Sequence, residues 1–147
     1  MQTVWGQYPD TILTFPALGG LQIDLRRPVT DVHIAALATL GLRPEYGIVT
    51  ACDPMGVNHE PDVNRVRTHM LQMEIESLAA SHSLVEACSV DGSHCEASFA
   101  VAADLTVVTA LATRYDQLGI FWFDGISFWI IPARSNNARL RLPVARG

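Results

Sequence analysis

The order of hydrophobic patterns between residues 46 and 123 restricts the fold of this chain more than any other feature. Continuous apolar runs and alternating runs predict strands, and apolar residues at helical spacing predict helices. The predicted segments are, in order, a strand at 46–51, a helix at 61–80, strands at 84–90 and 96–102, a helix from Asp104 and a strand from Gly119. The order βαββαβ predicts an α+β fold, a ferredoxin-like sandwich with a mainly antiparallel sheet and helices on one face.

Further elements extend this unit at both ends. A pair of strands is predicted at residues 12–15 and 21–25. A helix is predicted to follow them, with Thr30 or Asp31 as its N-terminal cap. Asp124-Gly125 lies between two aromatic runs, which is a strong signal for a hairpin and predicts a C-terminal strand. With 147 residues, we predict one α+β domain over residues 1–132.

Residues 133–147 are predicted to form a basic C-terminal tail. They contain Arg134, Arg139, Arg141 and Arg146 and no acidic residue, whereas the whole chain has a net charge of −5. Two interpretations remain open. The tail is a solvated terminus, or it docks on the acidic body of its own chain, on a partner subunit or on an anionic ligand.

The helix at 61–80 carries a stripe of apolar residues, which predicts the face that it buries. The stripe consists of Val63, Val66, Met70 and Met73, widened by Leu71, Ile75 and Leu78. Its methionines are predicted to fill the core rather than to bind a cofactor.

Composition and missing motifs exclude several kinds of function. All ten basic residues are arginine. The chain therefore has no lysine for a Schiff base, for a phosphate-binding loop or for a kinase of the common type. The acidic balance and the absence of a basic groove predict that nucleic acid is not a partner. The sequence also has neither GxGxxG nor GxSxG.

The three cysteines, Cys52, Cys88 and Cys95, form no CxxC pair. We therefore expect no disulfide framework and a reducing compartment. The N-terminus does not resemble a signal peptide, and no segment is apolar enough to span a bilayer. The predicted location is the cytoplasm, with no membrane partner.

Histidine and cysteine spacing predicts neither a metal site nor a cofactor. No ligands have the tight spacing of structural zinc, and the motifs of zincins and zinc deaminases are missing. A nucleophilic Cys52 with His59 or His94 as its base is conceivable. The acidic neighbour Asp53 weighs against it, because it raises the pKa of the thiol.

Several short motifs occur in a fixed order along the chain. They are Gly47-Ile48-Val49-Thr50-Ala51-Cys52-Asp53-Pro54, then Asn64, then Glu96-Ala97-Ser98-Phe99, then Tyr115-Asp116-Gln117. In this order they resemble the small bacterial family catalogued as domain of unknown function 3293, over roughly residues 22–131. The chain differs at Cys52-Asp53, where Trp-Asn or Tyr-Asn is typical of the family, and at Asp116, where glycine is more usual. The resemblance implies that these polar residues form a unit, and it implies no activity.

Six polar residues are the candidate ligand-binding site: Thr50, Asp53, Asn64, Glu96, Ser98 and Gln117. Asp53 and Glu96 are the candidate catalytic pair, because two carboxyls in different environments can serve as acid and base. The alternative is that these residues are structural, with Asp53 capping a loop and Glu96 bound to backbone or arginine. Arg26 and Arg65 are nearby candidates for pairing with an anion.

Three hypotheses of function follow. The first is a small cytosolic domain that binds a small polar molecule in a pocket at the strand ends. The second is a hydrolase or isomerase that uses Asp53 or Glu96 as general acid/base, so that enzyme activity is left open. The third is an acidic interaction or inhibitor module. All three are compatible with a homodimer through the hairpin of Trp122, Phe128 and Trp129.

Overall fold

A single antiparallel sheet of eight strands dominates the computed structural model, which describes residues 8–53, 57–135 and 138–144. Pro54 of the first motif and Arg146 of the basic segment lie outside these residues. The strands are β1 (Thr11–Phe15), β2 (Leu21–Asp24), β3 (Tyr46–Thr50), β4 (His82–Ser89), β5 (Cys95–Val101), β6 (Gly119–Phe123), β7 (Phe128–Pro132) and β8 (Leu140–Arg141). The helices are α1 (Asp31–Ala38), α2 (Pro61–Ser77) and α3 (Leu105–Arg114).

The predicted α+β class is confirmed, and the sheet is larger than a βαββαβ unit alone. Its strands lie in the order β2-β1-β4-β5-β3-β6-β7-β8. The N-terminal pair therefore extends the sheet beside β4, and the C-terminal strands extend it beside β6. These additions put β3 and β5, which bear three of the six candidate residues, near the centre of the sheet.

Helices lie on both faces of this sheet rather than on one. Leu71 and Ile75 of α2 pack with Val108 and Leu111 of α3 on one face. Leu37 of α1 joins Ile48 and Phe121 in a separate core on the other face. The face that carries Ile48 and Phe121 is also the face on which the main pocket opens.

Helix α2 buries only part of the face that the apolar stripe predicts. Met70 and Met73 are 53% and 57% exposed, and Val63, Val66 and Leu78 are exposed as well. Only Leu71 and Ile75 of the helix are buried. The prediction that the methionines fill the core is wrong, because the helix buries only a narrow strip of its surface.

The aromatic hairpin between β6 and β7 forms where Asp124-Gly125 predicts it. The Asp124 carboxylate accepts hydrogen bonds from the backbone N–H groups of Ile126 and Ser127, at 2.8 Å each, and from Trp129 Nε1 at 2.8 Å. Trp122 and Phe128 are buried inside the chain. The homodimer stays a prediction, and the half-buried Trp129 is the member of the three with surface to offer a partner.

Cys88 and Cys95 form a disulfide across the β4–β5 hairpin, with an S–S distance of 2.11 Å. The expectation of no disulfide is therefore wrong. The two cysteines are paired residues in the ladder between β4 and β5, so their side chains leave the sheet on the same side. Cys52 is free and buried.

The described part of the basic C-terminal segment packs against the sheet. Residues 140–141 form β8 beside β7, and Leu142 is buried in the core that contains Leu37. Arg134 Nη1 lies 2.8 Å from Asp116 Oδ1, and Arg141 Nη2 donates a hydrogen bond to Ser127 Oγ at 3.1 Å.

Among the described residues, no helix combines the length and the apolar character that crossing a membrane requires.

Candidate functional site

A cavity of about 340 Å³ lies where β3 and β5 approach the loop after β3 and the tip of the β4–β5 hairpin. Its lining combines two kinds of residue. The apolar and aromatic residues include Tyr8, Ile48, Ile120 and Phe121. The polar residues, which we call the polar wall, are Thr50, Asp53, Asn58, His94, Glu96, Ser98 and Gln117.

Asp53 is held at the polar wall by its own backbone and by three hydrogen bonds. Its φ of 46° is left-handed, a conformation that Asp and Asn adopt more readily than most residues do. Its backbone N–H donates to Asn64 Oδ1 at 2.9 Å. Its Oδ1 accepts from Asn64 Nδ2 at 2.9 Å and from the His59 backbone N–H at 3.0 Å. Oδ1 is therefore fully engaged, and Oδ2 is the oxygen that faces His94.

His94 lies between the two carboxyl groups of the site. Its Nε2 is 3.3 Å from Glu96 Oε2 and 3.6 Å from Asp53 Oδ2. His94 comes just before β5, and Glu96 is two residues further along, so both side chains point to the same face of the sheet. Asp53 is nine-tenths buried, whereas half of the His94 side chain is exposed, so the cluster is deep on one side and open on the other.

The two carboxyls differ in acidity. Burial raises the pKa of Asp53, but the hydrogen bonds from Asn64 and from the His59 backbone outweigh it, and the pKa is lowered overall. Burial raises the pKa of Glu96, and the nearby Asp53 charge raises it further, against the opposing effect of His94. A pair of neighbouring carboxyls with divergent pKa values is the arrangement from which acid and base roles are assigned.

Five of the six candidate residues line the same cavity: Thr50, Asp53, Glu96, Ser98 and Gln117. Asn64 does not line it and acts from behind, through its two hydrogen bonds with Asp53. Arg26 and Arg65 also lie elsewhere, each paired with an acidic neighbour, Asp24 and Asp62 respectively.

Thr50, Ser98 and Gln117 are engaged mainly with backbone. Thr50 Oγ1 donates to the Ala97 carbonyl at 2.8 Å, and Ser98 Oγ donates to the Glu96 carbonyl at 3.3 Å. The Gln117 amide donates to the Cys52 carbonyl at 2.9 Å and to the Tyr115 carbonyl at 3.1 Å. These residues brace the loop and β5, and Asp53, His94 and Glu96 form the cluster of titratable groups in the lining.

Sequence reasoning missed His94 and Tyr8 as members of the site. Tyr8 is close enough to Glu96 that burial and the Glu96 charge raise the pKa of its hydroxyl to about 12. His94 carried one usable signal, its i, i+2 spacing to Glu96, the first residue of a predicted strand. Tyr8 carried none, because only the tertiary fold brings it to this wall.

Cys52 does not have the surroundings of an activated nucleophile. Its sulfur is buried, 3.6 Å from Thr68 Oγ1 and 3.8 Å from the Ala97 carbonyl oxygen. Among the described residues, no histidine is hydrogen-bonded to it.

The fold and the site define an α+β protein with one mixed polar and apolar pocket at the strand ends. Residues 49–120 match the model of the family described as "Protein of unknown function (DUF3293)". The match confirms the resemblance inferred from the motifs, and it includes every candidate residue from Thr50 to Gln117. No curated protein and no solved structure matches the chain.

Proposed function

We propose that this protein binds a small molecule in the cavity between β3, β5 and the hairpin tip. The observation that carries the proposal is the convergence of Asp53, His94 and Glu96 on a cavity whose lining also includes the apolar residues Ile48 and Phe121. Ligand pockets combine an apolar lining with a few polar groups that fix orientation.

The size and walls of the cavity limit the ligand. A volume of about 340 Å³ is at the low end of the range for small-molecule pockets, roughly 300–1,000 Å³. Ile48 and Phe121 offer apolar contact, while Asp53 Oδ2 and Glu96 address a polar group. The class that fits is a small metabolite with one polar end and a compact apolar part.

A pair of variants tests whether this cavity is the binding site. Ala87 lines the cavity, and the neighbouring Glu86 is exposed on β4. A library of polar metabolites is screened by thermal shift, and the hits are titrated by calorimetry. Ala87→Phe, which fills the cavity, is expected to abolish binding, whereas Glu86→Phe retains it. Hits that bind Ala87→Phe as tightly as the native chain would contradict the proposal, and so would the absence of any hit.

General acid/base catalysis at the same site is the second candidate function. The lowered pKa of Asp53 and the raised pKa of Glu96 favour it. In this case Asp53 is the base, and Glu96 donates a proton in a hydrolysis or an isomerisation.

Glu96→Gln distinguishes the two functions, because glutamine keeps the shape of the side chain and cannot donate a carboxyl proton. For an enzyme, the variant binds the hits from the screen and no longer turns them over, as followed by mass spectrometry of the products. For a binding protein, the native chain also leaves the hits unchanged, and the variant only weakens binding.

The ferredoxin-like topology also belongs to this proposal. The strands β4, β5, β3 and β6 are consecutive neighbours, and both helices of the βαββαβ unit pack on one face. These features support a ferredoxin-like unit with added strands on either side.

A further inference from the structure

The geometry points to a divalent transition-metal site in which Asp53 Oδ2, His94 Nε2 and Glu96 Oε2 bind one cation of the Zn²⁺ class. The inference rests on the proposed function in that it uses the same pocket. It assigns a role to the polar wall: its side chains bind the cation, and an oxygen of the small molecule completes the coordination of that cation.

The separations of the three donor atoms fit a single ion. Zinc binds nitrogen and oxygen at about 2.0–2.2 Å, so two ligands of a tetrahedral ion lie about 3.4 Å apart. His94 Nε2 is 3.3 Å from Glu96 Oε2 and 3.6 Å from Asp53 Oδ2. All three donors lie within 4.8 Å of one another, so little movement is needed to enclose an ion.

Hydrogen bonds to Oδ1 orient the carboxylate of Asp53, as outer contacts commonly do for metal-binding carboxylates. Asn64 Nδ2 and the His59 backbone N–H both donate to Oδ1, which fixes the carboxylate plane and leaves Oδ2 toward the cluster. Such outer contacts set the orientation and the affinity of a metal ligand. Asn64 does not line the cavity, and its role in this proposal is to position the carboxylate of Asp53.

Charge also favours a cation at this point. Asp53 and Glu96 are two neighbouring carboxyls that are largely removed from water, and two like charges in such surroundings repel each other strongly. Arginine does not neutralise them, because none of the described ion pairs of Asp53 or Glu96 involves one. A divalent cation would satisfy both carboxylates together.

The donor set and the open side indicate the kind of metal. Imidazole with carboxylates suits zinc and other first-row transition metals, whereas Mg²⁺ prefers six oxygen ligands. Catalytic zinc sites have three protein ligands and a fourth position for water or substrate. Here the three donors leave the side toward the cavity uncovered.

A second group, Glu86, Cys88 and Cys95, is also close enough to hold an ion. Its two sulfurs are joined in the disulfide and are not thiolates, so this group is not a metal site as it stands. The test below therefore keeps the disulfide intact.

The test is calorimetric titration of the full chain with Zn²⁺ alone, after treatment with a chelator and without reductant. The expected result is one Zn²⁺ per chain and a raised melting temperature, because the ion binds the folded state. Mg²⁺ at the same concentration is expected to leave the melting temperature unchanged.

Variants with matched controls assign the site. His94→Ala and Asp53→Asn are expected to weaken Zn²⁺ binding at least about 100-fold, and Asn64→Ala about 10- to 100-fold. His69→Ala removes an exposed histidine of α2 outside the cluster and is expected to bind like the native chain. Circular dichroism verifies that each variant is folded.

Zn²⁺ binding that survives His94→Ala, or that His69→Ala removes, would overturn the inference, as would the absence of binding to the native chain. Metabolite binding by the native chain and by Ala87→Phe is measured both with and without Zn²⁺, and it is scored separately from the binding of Zn²⁺ in the absence of metabolite. A pocket that binds metabolites and not Zn²⁺ would leave the proposed function standing and remove the metal.

Discussion

The site is built from two regions that are fixed in opposite ways. The loop after β3, residues 51–53 and 57–60, is held by residues far along the chain. Gln117 binds the Cys52 carbonyl across 65 positions, and Asn64 binds Asp53 across 11. The hairpin tip, residues 88–95, is held by its own neighbours, through the disulfide between positions seven apart.

The hairpin tip is also closed by hydrogen bonds within a few residues. The Asp91 carboxylate accepts from the Ser93 backbone N–H at 2.9 Å and from Ser89 Oγ at 2.8 Å. These bonds lower the pKa of Asp91 to about 2. His94 thus belongs to a hairpin tip that local contacts hold, with Glu96 directly after it, whereas the contacts that hold Asp53 come from elsewhere in the domain.

The largest expected effect is on the loop. Gln117→Leu removes both donated bonds of a side chain that is only 4% exposed, and it takes from the Cys52 carbonyl the one partner that it has within residues 8–53, 57–135 and 138–144. The Tyr115 carbonyl keeps its bond from Arg67 Nη2. We expect a loss of about 3 kcal/mol in the free energy of unfolding, measured by urea denaturation.

Gln72→Leu is the matched control for this change, because Gln72 is exposed on α2. It is expected to alter the free energy of unfolding by less than about 0.5 kcal/mol. Equal losses in the two variants would show that the loop does not depend on Gln117.

A smaller effect is expected from opening the hairpin. The double variant Cys88→Ser, Cys95→Ser loses the constraint on a short loop, which corresponds to about 2 kcal/mol in the chain-entropy treatment. Hydrogen exchange is expected to increase at the tip, residues 88–95, more than in β3. Hydrogen exchange that increases equally in the loop after β3 would contradict the idea that the hairpin tip is held by local contacts.

Reductant provides the internal control. It is expected to destabilise the native chain to the level of the double variant and to leave the variant itself unchanged. Cys52→Ser retains the disulfide and is expected to respond to reductant like the native chain.

The smallest effect is a pH dependence that separates the two carboxyls. The folded-state pKa of Glu96 is raised, so its contribution to stability is present at low pH and is lost as pH rises through that pKa. Relative to the native chain, Glu96→Gln should therefore gain stability from about pH 4 upward, in chelator-containing buffer.

Asp53→Asn should show the opposite trend. The folded-state pKa of Asp53 is lowered, so its stabilising contribution is present above the unfolded pKa and is lost as pH falls through the folded pKa. The deficit of Asp53→Asn relative to the native chain is thus expected to shrink in acid. Parallel pH profiles for the two variants would mean that the carboxyls of Asp53 and Glu96 do not differ in acidity.

The sequence predicted the elements better than the faces that they bury. Turn chemistry is local, so Asp124-Gly125 located the β6–β7 hairpin correctly. The buried face of α2 depends on what lies beneath it: of the predicted stripe, Leu71 and Ile75 are buried, whereas Val66 and Met70 are exposed. When apolar residues occur on several sides of a helix, the sequence allows more than one buried face, and tertiary packing decides which face is buried.

The disulfide was within reach of sequence reasoning. A turn at Asp91-Gly92-Ser93 between two strands places Cys88 opposite Cys95, yet the odd number of cysteines argued against pairing. For the site, motif order grouped Thr50, Asp53, Glu96, Ser98 and Gln117, which do line one cavity. Tyr8 could not be predicted, because no local pattern relates it to β5.

The left-handed backbone of Asp53 has a consequence for how this pocket can change over evolutionary time. Only Asp, Asn and Gly adopt a φ of 46° at little cost, so the choice of residue at this position is narrow. Within it, exchanging Asp and Asn swaps an oxygen for an amide nitrogen and leaves the shape of the loop alone. One such exchange adds or removes a full negative charge in the lining of the cavity, so the preference for a cation or a neutral group is separable from the architecture that presents it.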